Sequence, residues 1–532
     1  MPLLTVITDD MAREISFNKG DSLRELLYGA GLRVRSGCLG NGACGLCLVQ
    51  VEAGNAGEPT KNERISLSSD QLAANVRLAC QLMPEGDLRV RIIDAVSKSH
   101  WRDLAPSPFT PADISPPGGV PSEAAYGLAV DLGTTHISLS LWDLGLGKRL
   151  AGSIGLNPQS VFGQDVVTRL IAAGQSADSA GRIARMPLDA LYEGLLDICS
   201  REGFGIRDVV RAVIVGNTAM LALLTESDPL TLLMPDSWTL PFDLNTDSAK
   251  AWADAIGLSP QAAVEVVSPL AGFVGSDLLA GVVATRLTDQ PGSLLIDFGT
   301  NSEMALWDGG TLWVTSAAGG PAFESCGMQC GMPAEPGAIY RVDLREDSGE
   351  MHFEVIGGGE ARGLCGSGLV DLIALLCGTG ELKPTGRFAP HLGDGFAVRK
   401  EGTAIRLTKG DVDMFQRAKA AIGVGIKTLM GKAHIGANGL RRVCVCGVFG
   451  ARLDTRNARQ VGLLPDIPDE RIELCGNTAL AGCESLLLSP AMEAELAALR
   501  GRAATINLSH IPDFEELFLE NLYLRPMKVD KA

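Results

Sequence analysis

Cys38, Cys44, Cys47 and Cys80 are spaced C-x5-C-x2-C-x32-C, the first three within the glycine-rich run SGCLGNGACGLC. Three thiolates on one loop with a distant fourth form a ligand set for a 2Fe–2S cluster, which carries a single electron. Glycines at 37, 40, 42 and 45 permit positive φ and let backbone N–H groups turn toward sulfur. The competing reading is zinc, but zinc sites usually pair two short C-x2-C knuckles and this stretch holds one. Cys38, Cys44, Cys47 and Cys80 are therefore the expected metal ligands.

A second chemistry lies in two short strings. Asp131-Leu-Gly133-Thr134-Thr135 follows the apolar run Gly127–Val130 and leads into Ile137–Trp142. Asp297-Phe-Gly299-Thr300-Asn301 follows Leu294–Ile296 and leads into Glu303–Trp307. Glycine lets backbone amides approach phosphate oxygens, threonine hydroxyls donate to them, and an aspartate can hold hydrated Mg²⁺. One such string alone is more often just a tight turn. Two copies, each between apolar strands, read as a duplicated α/β domain with a phosphate-binding cleft between its halves.

These residues need elements to position them. Leu3–Ile7 and Ala12–Phe17 alternate around Asp9-Asp10 and predict a β-hairpin. Ser22 heads a short helix through Leu23, Leu26 and Leu27 that ends at Gly29–Gly31. The cysteine loop follows, then strands at Leu48–Glu52 and Leu88–Ile93, closing a module over residues 1–95. Residues 96–124 carry Pro106, Pro108, Pro111, Pro116, Pro117 and Pro121 beside Gly118-Gly119, the composition of a semi-rigid tether. The duplicated domain then divides into residues 125–290 and 291–532. In its second half Thr408-x-x-Asp411 predicts a capping box. It precedes an amphipathic helix through Val412, Phe415, Ala418, Ile422, Ile426 and Leu429.

Composition bounds the partners. A net charge of −17 argues against nucleic acid, whose phosphates need a basic face. No run approaches the roughly 18 apolar residues of a membrane span, and MPLLTVITDD lacks signal-peptide features. Thirteen cysteines, four of them in a cluster pattern, fit free thiols in a reducing cytoplasm, the expected location. Of the others, Cys444 and Cys446 alternate with valines and share one buried face, and Cys199, Cys377, Cys475 and Cys483 sit among apolar residues as core. His136 follows the first phosphate string and is read as a core or surface residue.

The N-terminal module resembles the β-grasp 2Fe–2S ferredoxins, with the five-residue gap of the adrenodoxin-like spacing. The paired strings resemble the phosphate-1 and phosphate-2 loops of the acetate/sugar kinase, heat-shock chaperone and actin superfamily. Val443-Cys-Val-Cys-Gly447-Val-Phe-Gly450 fits the adenosine turn of that superfamily, and Gly476-Asn477-Thr478-Ala-Leu-Ala-Gly482 fits the helix start after it. Further strings occur in family order: Asn157-Pro-Gln159 with Phe162-Gly-Gln-Asp165, Val215-Gly216-Asn217-Thr218-Ala-Met220, Gly272-Phe-Val-Gly275-Ser-Asp277, Gly320-Pro-Ala-Phe-Glu324, Cys330-Gly331-Met332 and Gly363-Leu-Cys-Gly-Ser-Gly368. Together they resemble the ATP-dependent reductive activators of corrinoid proteins, over nearly the whole chain.

The resemblance implies an α+β then α/β fold: a β-grasp ferredoxin, a Pro-rich linker and a duplicated RNase H-like (actin/sugar kinase-type) ATPase domain. It implies a 2Fe–2S cluster, ATP and Mg²⁺, with a corrinoid protein as partner, a low-potential electron donor, and a homodimer as one assembly left open. Asp131, Gly133, Thr134, Thr135, Asp297, Gly299, Thr300, Asn301, Gly447 and Gly450 would bind the nucleotide, and Asp297 or Glu324 would orient the attacking water. Related dehydratase activators share a cluster through cysteine pairs, which makes Cys326-x3-Cys330 a minor candidate for a second one. Three features depart from the family: Leu46 where a lysine is common, Val448 in place of a second glycine, and a middle domain that is absent or reduced. Two other classes compete, a small-molecule sugar or carboxylate kinase with a redox-sensing module and a nucleotide-switched binding protein.

Overall fold

Alternation in the N-terminal segment becomes a five-stranded sheet. Its strands are β1 (Leu3–Ile7), β2 (Ala12–Ser16), β3 (Leu48–Gly54), β4 (Val76–Leu78) and β5 (Leu88–Ile92), in the order β2-β1-β5-β3-β4. β1 and β5 run parallel while β1 with β2, and β5 with β3, run antiparallel. The helix Leu23–Gly29 buries Leu23 and Leu27 with Leu4, Val6, Val49 and Val90 in one core that also holds Cys47 and Cys80. The computed structural model describes residues 1–7, 12–30, 32, 34, 42, 47–93, 101–111, 125–163, 165–202, 205–247, 249–319, 328–345, 350–399, 405–450 and 452–528. The turn at Asp9-Asp10, Cys38, Cys44, Leu46, Glu324 and Cys326 lie outside the described residues.

Residues 101–111 do not stand clear of the ATPase halves, as a simple tether would. Arg102–Asp103 (β6) pairs antiparallel with Ile154 and Ser153 at the edge of the first large sheet. That sheet contains β7 (Tyr126–Leu132), β8 (His136–Asp143), β9 (Lys148–Leu156), β10 (Val209–Gly216) and β11 (Ala263–Val266), ordered β11-β10-β7-β8-β9-β6. β7, β8 and β9 form an antiparallel meander, and β10 and β11 add in parallel beyond β7.

The second half repeats this plan. β12 (Ser293–Phe298), β13 (Ser302–Trp307) and β14 (Leu312–Ala317) form the meander, with the strands Arg442–Cys446 and Ile472–Gly476 added in parallel beyond β12. Five strands match in order and direction in the two sheets, the structural form of the duplication the paired strings predicted, while the sixth is antiparallel in the first sheet (β6) and parallel in the second (Ala503–Thr505). One helix from each half, Ser276–Ala284 and Thr478–Leu488, lies between the sheets, so close at Gly482 that a Cβ there would sit 2.0 Å from the Ala280 carbonyl oxygen. A hydrophobic cluster shared by both halves surrounds this contact, with Val213, Leu279, Leu295, Cys444 and Leu487 among its members. The capping box forms as predicted: Asp411 N donates to Thr408 Oγ1 (3.2 Å) and Thr408 N to Asp411 Oδ2 (2.9 Å), opening the helix Lys409–Lys432. Val412, Phe415, Ala418, Ile422, Ile426 and Leu429 are all buried on its inner face. Among the described residues no helix is long and apolar enough to cross a membrane.

Candidate active site

β7 and β12 each end in an Asp-x-Gly-Thr turn, and both turns face one cleft of about 220 Å³. Asp131, Gly133, Thr134 and Thr135 line it from one half, and Asp297, Gly299, Thr300 and Asn301 from the other. The turns meet where Thr135 Oγ1 and Thr300 Oγ1 share a 2.9 Å hydrogen bond. Behind the first turn, three successive carbonyls are held from outside. Asn157 Nδ2 donates to Gly133 O (2.9 Å), Arg169 Nη1 to Thr134 O (2.7 Å) and Asn157 N to Thr135 O (2.8 Å). Anchored carbonyls fix the planar peptides, so the amides of the turn are preorganised in the manner an anion-binding turn needs. Asn157 and Arg169 are fully buried to do this.

Five carboxyls line the cleft, of which Asp131, Asp277, Asp297 and Glu303 act on one another and Glu335 is partly exposed. Burial raises Asp131 to about 7, against the hydrogen bond from Asn477 Nδ2 (2.9 Å) and helped by the charge of Asp277. Asp297 is pushed to about 8 by burial and then by Asp277 and Asp131. Burial raises Asp277 to about 6, although the Leu278 N–H bonds its carboxylate. Glu303 is held well above the usual carboxylate range, again by burial first and then by Asp277 and Asp297. Glu303 and Asp277 interact with each other and share one buried setting. Asn217 Nδ2 reaches Glu303 Oε1 at 3.3 Å from the start of the helix Thr218–Leu224. Carboxyls crowded in a low-dielectric pocket, raised by one another, fit a divalent cation, because a bound cation relieves the repulsion that raises them.

Gly447 opens the turn Gly447–Gly450 with φ +86°, and a Cβ there would lie 2.5 Å from Phe298 O and 2.8 Å from Asp297 Oδ1. The turn therefore packs directly on the end of β12, and Phe449 meets Phe298 edge-on with ring centroids 5.0 Å apart. Gly447 lines the cleft, whereas Gly450 is tucked beneath the turn against Val445. His136, read as a core or surface residue, lines the cleft, and burial lowers its pKa. Asp277, Glu303, Asn217 and Asn477 were missed as site residues. Each lies in or beside a string noted above, but only the fold shows which carboxyls and amides converge.

At the other end of the chain, Cys47 Sγ and Cys80 Sγ lie 3.4 Å apart and buried. A disulfide needs about 2.05 Å, so this spacing suits two thiolates on one metal. Cys80 is positioned through β4. There Arg77 Nε donates to Glu63 Oε1 (2.8 Å) and the Leu78 N–H to the same oxygen (2.9 Å), in a buried pair. Burial alone would raise Glu63, but these partners hold it below the usual carboxylate range.

The remaining described cysteines behave as core. Cys444, Cys446, Cys475 and Cys483 are fully buried with their thiols pushed up, which makes them inert. Cys377 is only partly buried. Donor atoms of Cys444, Cys475 and Glu473 come within 4.8 Å of one another, but Arg442 already grips Glu473 at 2.9 and 2.6 Å. Cys330 is buried against Asp411, and burial pushes its thiol up.

Comparison with known proteins bears on the whole arrangement. Residues 6–85 match the 2Fe–2S iron-sulfur cluster binding domain, 126–290 the RACo middle region, and 292–532 the C-terminal domain of RACo, the ASKHA domain. The corrinoid activation enzyme RamQ of Eubacterium limosum is 32% identical over 76% of this chain and 71% of its own. The chain belongs to the family of reductive activators of corrinoid proteins. Another relative is the [Co(II) methylated amine-specific corrinoid protein] reductase of Methanosarcina barkeri, 27% identical over 68% of this chain and 70% of its own. The solved structure of a reductive activator for corrinoid, iron-sulfur protein aligns over 98% of both chains, with a TM-score of 0.67 and 26% identity. One departure noted from the sequence is overturned. The middle region of these activators is present at 126–290, as the first ATPase half itself. The family match also favours an activator over the kinase and switch readings.

Proposed function

We propose that this chain uses ATP to return one electron to the Co(II) state of a corrinoid methyltransferase protein, regenerating Co(I). The observation that carries the reading is an acidic cleft between two Asp-x-Gly-Thr loops on the same chain as the paired thiols Cys47 and Cys80. Asp131 and Asp297 hold hydrated Mg²⁺, and the Gly133–Thr135 and Gly299–Asn301 turns take the phosphates from opposite sides. Asp297 is one candidate for orienting the attacking water, and Glu324, from the family string, is the other. Asp277 and Glu303 line the cleft beside Asp131 and Asp297 and add to its acidic lining. Cys38, Cys44, Cys47 and Cys80 hold the 2Fe–2S cluster, which when bound supplies one electron at about −400 mV in plant-type sites. An external low-potential donor is needed to replace that electron.

Delivery to a corrinoid of lower potential is uphill. For one electron about 59 mV is a tenfold factor, so a gap of roughly 100 mV costs about 2.3 kcal/mol. A nucleotide that binds closed and open clefts with different affinity supplies that much through a modest population shift. The halves pack at the Gly482–Ala280 contact, so a closure of one half on the other would turn about this junction.

Anaerobic optical titration tests the proposal. The cluster-reduced protein, mixed with a Co(II) corrinoid protein, is expected to produce the Co(I) absorption band only with Mg-ATP. A band of equal size without nucleotide, or no band at all, rules the coupling out.

A further inference from the structure

The linker does more than join two domains, because residues 101–109 are built into the ATPase. Trp101 is keyed into a slot made by two glycines on different elements. A Cβ on Gly155 in β9 would lie 2.9 Å from the indole, and one on Gly194 in the helix Ala177–Glu202 would lie 2.5 Å from it. The next residues pair with β9, where Leu104 N donates to Gly152 O (3.0 Å) and Ser153 Oγ to Arg102 O (3.2 Å). Arg149 donates to Leu104 O at 3.2 and 3.1 Å, and its Nε reaches the buried Glu484 of the second half at 3.0 Å. Farther on, Ser107 Oγ donates to the carbonyl of Cys475 (3.1 Å), two residues before the Asn477 that holds Asp131. The segment thus grips both halves.

One side chain of this strap enters the nucleotide cleft. Arg102 lines the same cavity as Asp131, Thr134, Thr135 and Asp297. Its guanidinium lies 3.8 Å from Glu335 across the cleft mouth and acts electrostatically on His136, the residue that follows the first phosphate turn. Arg102 and Arg452 are the two guanidinium groups among the described lining residues, and Arg452 stacks over the Tyr340 ring, 5.1 Å from its centroid. The Arg102 and Glu335 side chains are 44% and 36% exposed and 3.8 Å apart, so the pair is held weakly and can be exchanged for a better anion. A polyphosphate is such an anion, since the planar guanidinium fork matches phosphate oxygens.

We propose that Arg102 is a nucleotide-binding residue supplied by the linker. It exchanges Glu335 for the phosphates of bound ATP and so ties nucleotide occupancy to the segment from which the ferredoxin module is hung. This rests on the reading of the cleft as an ATP site. It adds that the electron-carrying arm is anchored to the nucleotide directly, through a residue outside both phosphate turns.

The test needs no corrinoid protein. Binding of Mg-ATP, Mg-ADP and adenosine to the full cluster-loaded chain is measured by calorimetry for the natural sequence, Arg102→Ala and Arg102→Gln. Each variant is first checked for the cluster spectrum and an unchanged melting temperature. Both substitutions are expected to weaken Mg-ATP roughly ten- to a hundredfold, as loss of a charged hydrogen bond to phosphate does, and to leave adenosine within about twofold. Hydrogen exchange over residues 101–109 supplies a second readout. Mg-ATP should slow exchange at the Leu104 amide in the natural chain and leave it unchanged in either variant. Equal Mg-ATP affinity in all three chains, or nucleotide protection of the strap that survives Arg102→Ala, overturns the proposal. Absence of Mg-ATP binding by the natural chain would instead remove the reading of the cleft, and this inference with it.

Discussion

Asp131, Asp277 and Asp297 are all displaced in the same direction, to about 7, 6 and 8, against an ordinary aspartate value near 3.9. A carboxyl that binds its proton more tightly in the folded chain than in the unfolded one stabilises the fold at low pH. That stability is complete below about pH 4 and is lost as pH rises through the folded value. For these three groups the loss runs from about pH 4 to about pH 8, opposite in sign to the loss on acidification expected from Glu63, which is held below its ordinary value. The magnesium- and nucleotide-free protein should therefore melt at progressively lower temperature between pH 6 and 8.5. Saturating Mg-ATP should flatten this slope, because a cation in the cleft takes over the role of the protons. Calorimetric scans across that range with and without Mg-ATP make the comparison. A melting temperature that rises with pH in the metal-free protein would mean that these carboxyls do not share one buried pocket.

The elements carry a second argument through the Thr408–Asp411 box. Asp411 does two jobs, capping the helix Lys409–Lys432 and accepting from Gln329 N at 2.7 Å, next to Cys330. Asp411→Ala should cost about 1–2 kcal/mol, at the upper end for a cap because a second amide also loses its partner. Denaturant unfolding measures this, and a loss under about 0.5 kcal/mol would show the box to be dispensable. Such local features were legible in the sequence: the box spans four residues, and alternation in Leu3–Ile7 or Leu88–Ile92 declares a strand by itself. The Asp-x-Gly-Thr turns were legible too, as local strings between apolar runs. What could not be read depends on distant partners. Asn217 meets Glu303 across 86 positions and Asn477 meets Asp131 across 346, so the polar lining of the cleft exists only once the two halves are assembled. The strap escaped for a related reason. Proline content announces an extended segment, but nothing in it says that Gly155 and Gly194 have left room for Trp101.

At the scale of the molecule, the hydrophobic clusters decide which perturbations remain local. The ferredoxin core draws on residues from Leu4 to Ile92, while the three ATPase clusters are built from Tyr126 onward, joined at their margins by Trp101, Leu104 and Phe109. Units with separate cores fold and melt as separate units. Cys47 belongs wholly to the first core, 2% exposed and 3.4 Å from Cys80. Cys47→Ser replaces a thiolate with a far weaker ligand and puts an unsatisfied hydroxyl in that core. The visible absorption of the cluster should then disappear, and the ferredoxin melting transition should fall. The ATPase transition and the affinity for Mg-ATP should stay unchanged, since the Trp101 slot, β6 and the Ser107 contact are all untouched. Electron delivery to Co(II) should vanish while ATP hydrolysis continues. Calorimetry with nucleotide titration separates these outcomes. If Cys47→Ser also lowers the ATPase transition or weakens Mg-ATP severalfold, the strap transmits in both directions, and the two modules form one cooperative unit.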